Sequence, residues 1–486
     1  MSPTAPVKPF SPSTPQSRVA GRPGPAEPLL GSSGGSLLER LAEGLEQRGI
    51  SYCQWKGHWS AHRWSTGQGS VDLLVDFSSR SAFRRLAEEL GFKLGYAPGP
   101  SRRAGIEHYL GFDPAVSRLL HLQVRYRLLL GDYWKPVYRV PIEGPLLERA
   151  LPRSPFRVPA PTHQYLVFVL RMMLRQVGRP LLSAQTLWTT GIRIQLESLQ
   201  ACSSREELAK LLREHLSPVD LQIFDRCVLS LQGGCGPLER AVLPWQLHRR
   251  LRAHLRLPSL GAMLAAGLER ILPVSLAEKI CDMRLCLSDG GLVLALSGNG
   301  TDRGTTVREM NGWLGPAFRT MRADVGNPPR SWLTLAVDAL LKLTHRLDRM
   351  RQRSPGSGTT LQLLRHLCTA RDRYLLYVRV RRFAVDGGIA ICEGYPMSQD
   401  RRLVGPRVRE LLPVQASKVA RLLDTLEATY YERILRPDLV VVLQPNPQLS
   451  GTEPPEEGTT GAQVIDASGP MPDVIRRLKA VIWPLL

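Results

Sequence analysis

The fold class of this chain is decided by the stretch Leu292-Val293-Leu294-Ala295-Leu296-Ser297-Gly298-Asn299-Gly300-Thr301-Asp302-Arg303-Gly304-Thr305-Thr306. It begins as an apolar run of strand length, continues as a glycine-rich loop, and is followed by a helical pattern over Val307–Leu314. In such an arrangement the backbone N–H groups of the loop and the first turn of the helix point at an anion. The stretch therefore predicts a buried strand of an α/β sheet, followed by a loop that binds phosphate.

The loop keeps the spacing of a P-loop but not its lysine. A complete P-loop reads G-x-x-x-x-G-K-[ST], with the lysine on the β- and γ-phosphates and the hydroxyl on Mg²⁺. Counted from Gly298, the second glycine position holds Arg303, which is the candidate replacement for the lysine. The lysine position holds Gly304, and the hydroxyl position holds Thr305. We expect phosphate contacts from Gly298, Asn299, Gly300, Thr301, Asp302, Gly304, Thr305 and Thr306. A strand-to-helix turn without a ligand is the alternative.

Length and composition bound the classes of protein to which the chain can belong. Its 486 residues exceed one ordinary domain and favour about two or three. Hydrophobic residues make up 43% and charged residues 22%, which is the usage of a globular protein. No run approaches the roughly 18 apolar residues of a bilayer span, which excludes integral membrane and fibrous proteins. Eight scattered cysteines without a C-x-x-C pair predict reduced thiols, so we expect a cytoplasmic protein.

The chain carries a large positive charge. Lys and Arg total 64 and Asp and Glu total 43, which leaves a formal net charge of +21. Such a charge attracts phosphate-bearing partners, whether nucleotides, nucleic acid or an anionic membrane surface; compositional bias toward arginine is the alternative explanation. The most basic piece, residues 248–256, is interpreted as a solvated helix face or as a phosphate-binding surface. A nucleic-acid partner is therefore one hypothesis for this part of the chain.

Local patterns divide the chain into four regions. Residues 1–35 contain eight prolines and a Gly/Ser run, which predicts a disordered tail without the apolar core of a signal peptide. A small α/β module is predicted over 36–150, beginning with a capping box at Ser36 and Glu39. Residues 151–285 form a predicted helical connector, with helical periodicity from 161 to 275. Strands and helices then alternate over 286–486, which predicts a parallel sheet.

Several blocks occur in a fixed order beyond the loop. They are Gly312-Trp313-Leu314-Gly315, Val325-Gly326-Asn327-Pro328-Pro329, Thr369-Ala370-Arg371-Asp372-Arg373-Tyr374, Asp386-Gly387-Gly388-Ile389-Ala390-Ile391-Cys392-Glu393-Gly394-Tyr395-Pro396 and Arg436-Pro437-Asp438-Leu439-Val440-Val441-Val442-Leu443. In this order the blocks over 291–486 resemble the thymidylate kinase family of P-loop phosphotransferases. The resemblance implies a parallel α/β/α domain that binds ATP with Mg²⁺. It also implies that Arg371 and Arg373 contact the acceptor nucleotide and that Thr305 and Glu393 hold Mg²⁺.

Three kinds of cation expected from that resemblance are missing. The P-loop lysine is replaced by Gly304, and the arginine that follows the strand carboxylate, kept as Glu393, is replaced by Gly394. The lid segment that follows strand 439–443 contains no Arg or Lys before Arg476. Phosphoryl transfer depends on positioning and on neutralising charge, and loss of one such cation costs on the order of 10²–10⁵ in rate. We therefore expect weak or altered phosphoryl transfer.

A second resemblance concerns residues 37–240. Gln54-Trp55-Lys56-Gly57 is followed, after a helix-length gap, by Gly67-Gln68-Gly69-Ser70-Val71-Asp72-Leu73-Leu74-Val75. This pattern resembles the nucleotidyltransferase superfamily, in which two carboxylates of an Asp-x-Asp strand and a third from a later strand hold metal ions. Here Ser70 stands at the first acidic position, only Asp72 remains, and the later strand 119–124 has no acid. The resemblance places Lys56, Gly57, Ser70 and Asp72 in a site for which we do not expect two-metal catalysis.

The leading hypothesis is a nucleotide-binding protein of the α/β class. In this hypothesis the chain contains, in order, a nucleotidyltransferase-like α/β module, a helical connector and a thymidylate-kinase-like P-loop domain. It contains no membrane span. The ligand would be a nucleotide or another phosphorylated small molecule, with Arg303 and Glu393 in catalytic positions. Two alternatives stay open: a catalytically dead scaffold or binding protein that keeps both folds, and residual nucleotidyl transfer at Asp72. The acceptor and the oligomeric state are left undecided.

Overall fold

A computed structural model describes residues 35–58, 69–98, 105–131, 137–177, 190–256, 284–298, 303–350, 359–396, 408–412, 417–444 and 462–486. Most of the predicted tail, the loop residues 299–302 and the lid residues 445–461 lie outside the described residues. Ser36–Leu486 form one compact unit of mixed α/β structure, and this class confirms the sequence prediction. Among the described helices none is long and apolar enough to cross a membrane.

The strands and the α-helices are numbered separately, each in chain order. The strands are β1 (Tyr52–Lys56), β2 (Ser70–Val75), β3 (Lys93–Tyr96), β4 (Ile106–Asp113), β5 (Arg118–Arg125), β6 (Leu129–Leu130), β7 (Val137–Arg139), β8 (Leu255–Arg256), β9 (Cys286–Leu287), β10 (Leu292–Gly298), β11 (Thr320–Asp324), β12 (Ile389–Glu393), β13 (Leu439–Gln444) and β14 (Ala462–Asp466). The α-helices are α1 (Leu37–Gln47), α2 (Arg80–Glu89), α3 (Glu143–Glu148), α4 (Pro161–Leu174), α5 (Thr190–Ala201), α6 (Arg205–His215), α7 (Leu221–Gln232), α8 (Pro237–Arg250), α9 (Arg303–Leu314), α10 (Trp332–Met350), α11 (Thr359–Val385), α12 (Val408–Leu411), α13 (Lys418–Glu432) and α14 (Met471–Leu485).

The first sheet has six strands in the order β1-β2-β5-β4-β3-β9. β2 and β5 are parallel, and the other neighbouring strands are antiparallel. Because alternate residues of a strand point to opposite faces, Leu73 joins the core formed with α1 and α2, whereas Leu74 joins the core formed with the helical connector. β4 and β5 form an antiparallel hairpin, and the predicted capping box of Ser36 and Glu39 is confirmed.

The helical connector packs around α4. This helix is buried along most of its length and contacts α5, α6, α7 and α8. The prediction that the helical pattern continues through the basic run 248–256 is wrong, because α8 ends at Arg250 and Leu255–Arg256 form β8. The reason lies in the tertiary structure: Leu255 pairs with Tyr138 of β7, and the Leu251 side chain between helix and strand is buried.

The second sheet has five parallel strands in the order β11-β12-β10-β13-β14. The predicted parallel sheet over 286–486 is thereby confirmed, and β10 is its central strand. Leu294 and Leu296 face α9 and α14, whereas Val293 and Ala295 face α11. β10 and β12, which are buried on both faces, are continuous apolar runs of the kind that parallel sheets require.

The two sheets share one core. Phe112 of β4 contacts Trp313 of α9 with 5.3 Å between ring centroids, and Trp313 lies 6.2 Å from Trp483 of α14. The Trp483 indole donates to the carbonyl of Gly91 at 3.0 Å. In addition, β9, which precedes the second sheet in the chain, pairs with β3 of the first. The small α/β module and the parallel sheet are therefore packed together rather than joined only by a linker.

Candidate functional site

β10, the central strand of the second sheet, lies at the point where the order of the strands reverses: the chain leads from β10 to β11 and β12 on one side and then to β13 and β14 on the other. β10 lies between β12 and β13, and its last residue, Gly298, pairs with Leu443. In open α/β sheets, ligands bind outside the carboxyl ends of the strands at this kind of switch point. Of the predicted phosphate-binding residues, Asn299, Gly300, Thr301 and Asp302 lie outside the described residues, whereas Gly298 and the start of α9 lie on either side of them.

The helix after the loop starts earlier than the sequence pattern indicates. We expect its first residue at Val307, but α9 begins at Arg303, so Gly304, Thr305 and Thr306 belong to its first turn. The guanidinium of Arg308 donates to the Gly304 carbonyl at 3.2 Å and to the Thr305 hydroxyl at 2.9 Å. Thr306 is buried and Thr305 is half-buried. The first-turn backbone N–H groups of α9 are therefore directed to the edge at which β10 ends.

Arg308 is a cation at the edge of the second sheet where β10 ends, and the sequence did not lead us to predict it. It is exposed, and it lies three residues after Thr305, the spacing at which side chains meet on one helix face. That spacing is the signal that identifies it. Arg303, the predicted substitute for the lysine, is the first residue of α9, and the structure describes its backbone only.

Two carboxylates lie in one row at the same edge. Glu393 ends β12, and it pairs with Leu296 of β10 on one side and with Asp324 of β11 on the other. Leu296 packs on α9, so residues in register with it lie on the α9 face of the sheet. The hydrogen bond at 2.8 Å between Thr320 of β11 and Asn311 of α9 agrees with this assignment, because Thr320 and Asp324 share a face. The predicted ligand Glu393 therefore has a second carboxylate beside it.

Asp324 was missed by the sequence analysis. It directly precedes the block that begins at Val325, so its position at the end of a strand is the available signal. Its Oδ1 accepts the backbone N–H of Asn327 at 2.9 Å, and the side chain is exposed. Carboxylate oxygens of this kind are the ligands that Mg²⁺ combines with substrate phosphates. Among the described residues no group of three or more His, Cys, Asp and Glu side chains forms a metal site by itself.

The cation beside Glu393 comes from a neighbouring strand. Arg322 Nη2 of β11 lies 3.4 Å from Glu393 Oε1, with 22% of the glutamate side chain exposed. Gly394, where the family resemblance leads us to expect an arginine, has φ of +58°. A Cβ at this glycine would lie 2.8 Å from the Cα of Gly326. The close approach of the two backbones therefore excludes an arginine side chain at 394, and Arg322 is the residue that pairs with the carboxylate.

The predicted acceptor-binding arginines differ in their surroundings. Arg373 is buried, and its guanidinium donates to the Gly326 carbonyl at 2.9 Å and to the Tyr431 hydroxyl at 2.5 Å. The preceding Asp372 is also buried and accepts the Thr334 hydroxyl at 2.6 Å. Arg371 is half-buried. Arg373 therefore holds the backbone that contacts Gly394, which is a positioning role.

The predicted residues of the first sheet meet in a polar row. Lys56 Nζ lies 2.9 Å from Asp72 Oδ1, and the carboxylate is buried. Burial lowers the pKa of the Lys56 ammonium to about 8, although Asp72 acts in the opposite direction. Ser70 accepts a hydrogen bond from Gln123 at 3.1 Å, and Gly57 follows β1 with φ of +81°. The one carboxylate that remains from the Asp-x-Asp pattern is thus held by a lysine.

Two histidines adjoin this row. His121 pairs with Ser70 across β2 and β5, and its Nε2 lies 3.0 Å from His108 Nδ1. Burial lowers the pKa of His121 to about 4, whereas the nearby Asp72 raises it. A pKa this low keeps the His121 ring neutral near pH 7, and which of the two histidines donates the N–H depends on their tautomers.

The structure brings the predicted residues together in two separate groups. Lys56, Ser70 and Asp72 lie on the first sheet, and Thr305 and Glu393 lie at the carboxyl edge of the second. Comparison of the chain with models of protein families gives no match, and comparison with curated proteins gives none either.

Proposed function

We propose that this chain binds a nucleoside triphosphate, or another phosphorylated small molecule, at the carboxyl edge of its parallel sheet, and that phosphoryl transfer there is weak or altered. One observation carries the proposal: Gly298 ends the central strand between β12 and β13, and α9 begins at Arg303. A strand that ends at a switch point and is followed by a helix N-terminus is a common phosphate site of α/β proteins.

The residues at this edge have complementary tasks. The first turn of α9 offers backbone N–H groups and the positive end of its dipole to the phosphates. The oxygens of Thr305, Asp324 and Glu393 would hold Mg²⁺, which would neutralise phosphate charge. Arg308 and Arg322 bring cations to Thr305 and Glu393 respectively. The resemblance to the thymidylate kinase family adds ATP as the donor and a nucleoside monophosphate as the acceptor.

The same contacts explain why transfer should be weak. Arg373 is bound to Gly326 and Tyr431, so its guanidinium is occupied by the protein. Gly394 has no room for a side chain, and the sequence from 444 to 475 has no Arg or Lys. Charge on a transferring phosphoryl group is usually neutralised by such cations, each worth orders of magnitude in rate. Binding of the nucleotide requires fewer of them than transfer does.

Nucleotidyl transfer at the first sheet has less support. The remaining carboxylate, Asp72, is buried and paired with Lys56 at 2.9 Å. A metal ion at Asp72 would have to displace that ammonium, and a single carboxylate binds Mg²⁺ poorly. We therefore place the nucleotide at the second sheet.

Calorimetric titration with ATP and Mg²⁺ tests the proposal. We expect binding by the wild-type protein, about tenfold weaker binding by Thr305→Val, and unchanged binding by the matched control Ser70→Ala, which removes a hydroxyl from the first sheet. Loss of binding in Ser70→Ala but not in Thr305→Val would move the nucleotide to the first sheet. No heat from any of the three proteins would overturn the proposal.

The Gly304→Lys variant separates binding from transfer. It restores the lysine position of the P-loop on the first turn of α9. If the phosphate site is intact, the variant should transfer labelled γ-phosphate to a nucleoside monophosphate faster than the wild type. Equal rates at saturating ATP would indicate a binding protein without phosphoryl transfer.

A further inference from the structure

The small antiparallel sheet β6-β7-β8 carries arginines on one face. Arg139 and Val137 are two residues apart on β7, and Arg256 pairs with Val137, so Arg139 and Arg256 point to the same side. Tyr138, between them, points to the other side and is fully buried against the connector. The sheet therefore has one face in the core and one cationic face.

This cationic face lines an open groove. Its volume is about 600 Å³, and the lining includes Arg127, Arg139, His254 and Arg256, with Leu129 and Leu255 among the apolar residues. The three arginines are exposed. Arg127 is held over the ring of Phe77, with 5.0 Å between its guanidinium carbon and the ring centroid. The groove thus gathers cations from three segments of the chain: the turn between β5 and β6, strand β7, and the segment that ends in β8.

The charges in the groove are not neutralised by the described part of the protein. Among the described residues, no carboxylate forms an ion pair with Arg127, Arg139 or Arg256. Elsewhere in the same basic run the situation is different, because Arg250 pairs with Asp220 at 2.6 Å. Like charges that converge without counter-charges raise the local potential and attract an anion.

The chemistry of the lining indicates the kind of anion. Small-molecule sites combine apolar walls with a few polar groups that read the ligand. Among the groove residues that the structure describes, arginine and histidine are the only polar side chains, and no Phe, Tyr or Trp side chain lies among them to stack on a base. Such a lining recognises charge without reading a base, as proteins do at a phosphodiester backbone.

We propose that this groove binds the phosphodiester backbone of a nucleic acid strand independently of its sequence. The net charge of +21 favours the same partner, because it attracts a polyanion from a distance. The groove lies on β6, β7 and β8 and is separate from the proposed nucleotide site at β10 and α9. The inference therefore does not depend on the proposed function.

Fluorescence anisotropy with a labelled oligodeoxycytidylate of about 16 nucleotides tests the proposal. The triple variant Arg127→Gln, Arg139→Gln, Arg256→Gln should lower the slope of log affinity against log salt by about 2, since each lost phosphate contact contributes about 0.7. Between about 50 and 200 mM salt, the wild-type protein should thus lose roughly 20-fold more affinity than the variant.

A charge-matched control removes three exposed arginines elsewhere. The variant Arg213→Gln, Arg379→Gln, Arg382→Gln has the same net charge and should keep most of the slope. Arg→Lys replacement of the three groove residues should also keep it, because the charges remain. Melting curves of all variants check that the fold is kept.

Three outcomes would overturn the proposal. The first is an equal loss of oligonucleotide binding in the groove variant and in the charge-matched control, because binding would then depend on the net charge and not on the groove. The second is no binding of the oligonucleotide at low salt. The third is tripolyphosphate that binds the groove more tightly than the oligonucleotide does, since this would make the groove a small-anion site.

Discussion

Gly394 and Gly326 approach each other so closely that a Cβ on Gly394 would lie 2.8 Å from the Cα of Gly326. One of these glycines follows β12 and the other follows β11, so the contact joins two neighbouring strands beyond their carboxyl ends. Arg373 donates to the carbonyl of Gly326 at 2.9 Å and holds this contact from α11. The glycine at position 394 is therefore required by the backbone structure, and a single substitution would not bring the arginine back.

Replacing Gly394 should destabilise the protein. Gly394→Ala meets both a left-handed φ of +58° and the backbone of Gly326, so we expect the free energy of unfolding to fall by about 2–4 kcal/mol. Gly312→Ala is the matched control, because an added Cβ meets nothing within 4 Å inside α9. It should stabilise the protein by about 0.5–1 kcal/mol. Denaturant unfolding measures both, and equal effects would contradict the described contact.

Arg373 should matter more for stability than for acceptor binding. Arg373→Lys loses the two-armed contact with Gly326 and Tyr431, and hydrogen bonds to charged groups contribute about 1.5–3 kcal/mol each. We expect a loss of about 2–4 kcal/mol in unfolding experiments, against about 1 kcal/mol for Tyr431→Phe. The half-buried Arg371 is the control, and Arg371→Gln should change stability by less than about 1 kcal/mol. A stable Arg373→Lys protein with weakened nucleotide binding would instead favour direct contact with the ligand.

The sequence was sufficient for the parts of the fold that depend on local pattern. β10 and β12 are continuous apolar runs because both of their faces are covered, and this apolar pattern is visible without a structure. The start of α9 was missed by four residues, because Arg308 stabilises the first turn through contacts that periodicity does not report. The basic run 248–256 was assigned to a helix because its strand pairing with β7 is a long-range contact.

The candidate site depends on such long-range contacts even more. Glu393 was found from its position at the end of an apolar strand, but its partner Arg322 lies 71 residues earlier in the chain. Likewise, the bond between Arg373 and Gly326 spans 47 residues. Sequence spacing indicates which residues have the side chains that the chemistry needs. The partners that position these side chains depend on the register of β11 against β12, which the sequence does not show. Asp324 was overlooked for the same reason.

Stability should rise with pH in the alkaline range because of Lys56. Its pKa is about 8 in the folded protein, below the 10.5 of an ordinary lysine, so the unfolded state binds more protons between these two values. The free energy of unfolding should therefore increase from pH 8 to pH 10.5, by up to roughly 3 kcal/mol. Because other groups titrate in this range, the measured quantity is the difference between the wild type and Lys56→Arg. The arginine keeps a cation beside Asp72 but releases no proton. A difference that does not change with pH would show that the Lys56 pKa is not lowered.

The same physical cause should make the protein sensitive to acid through His121. Burial lowers its pKa to about 4, below the 6.5 of an ordinary histidine, so here too the unfolded state binds more protons between these values. The free energy of unfolding should then decrease as the pH falls from 6.5 to 4, by up to roughly 3 kcal/mol for this residue. His121→Gln removes the titration but keeps a polar side chain that can pair with His108, so its unfolding free energy should depend less on pH over the same range. Chemical denaturation at several pH values measures the difference. A variant as acid-sensitive as the wild type would mean that His121 is protonated in the folded state, and that the polar row on β2 and β5 is open to water.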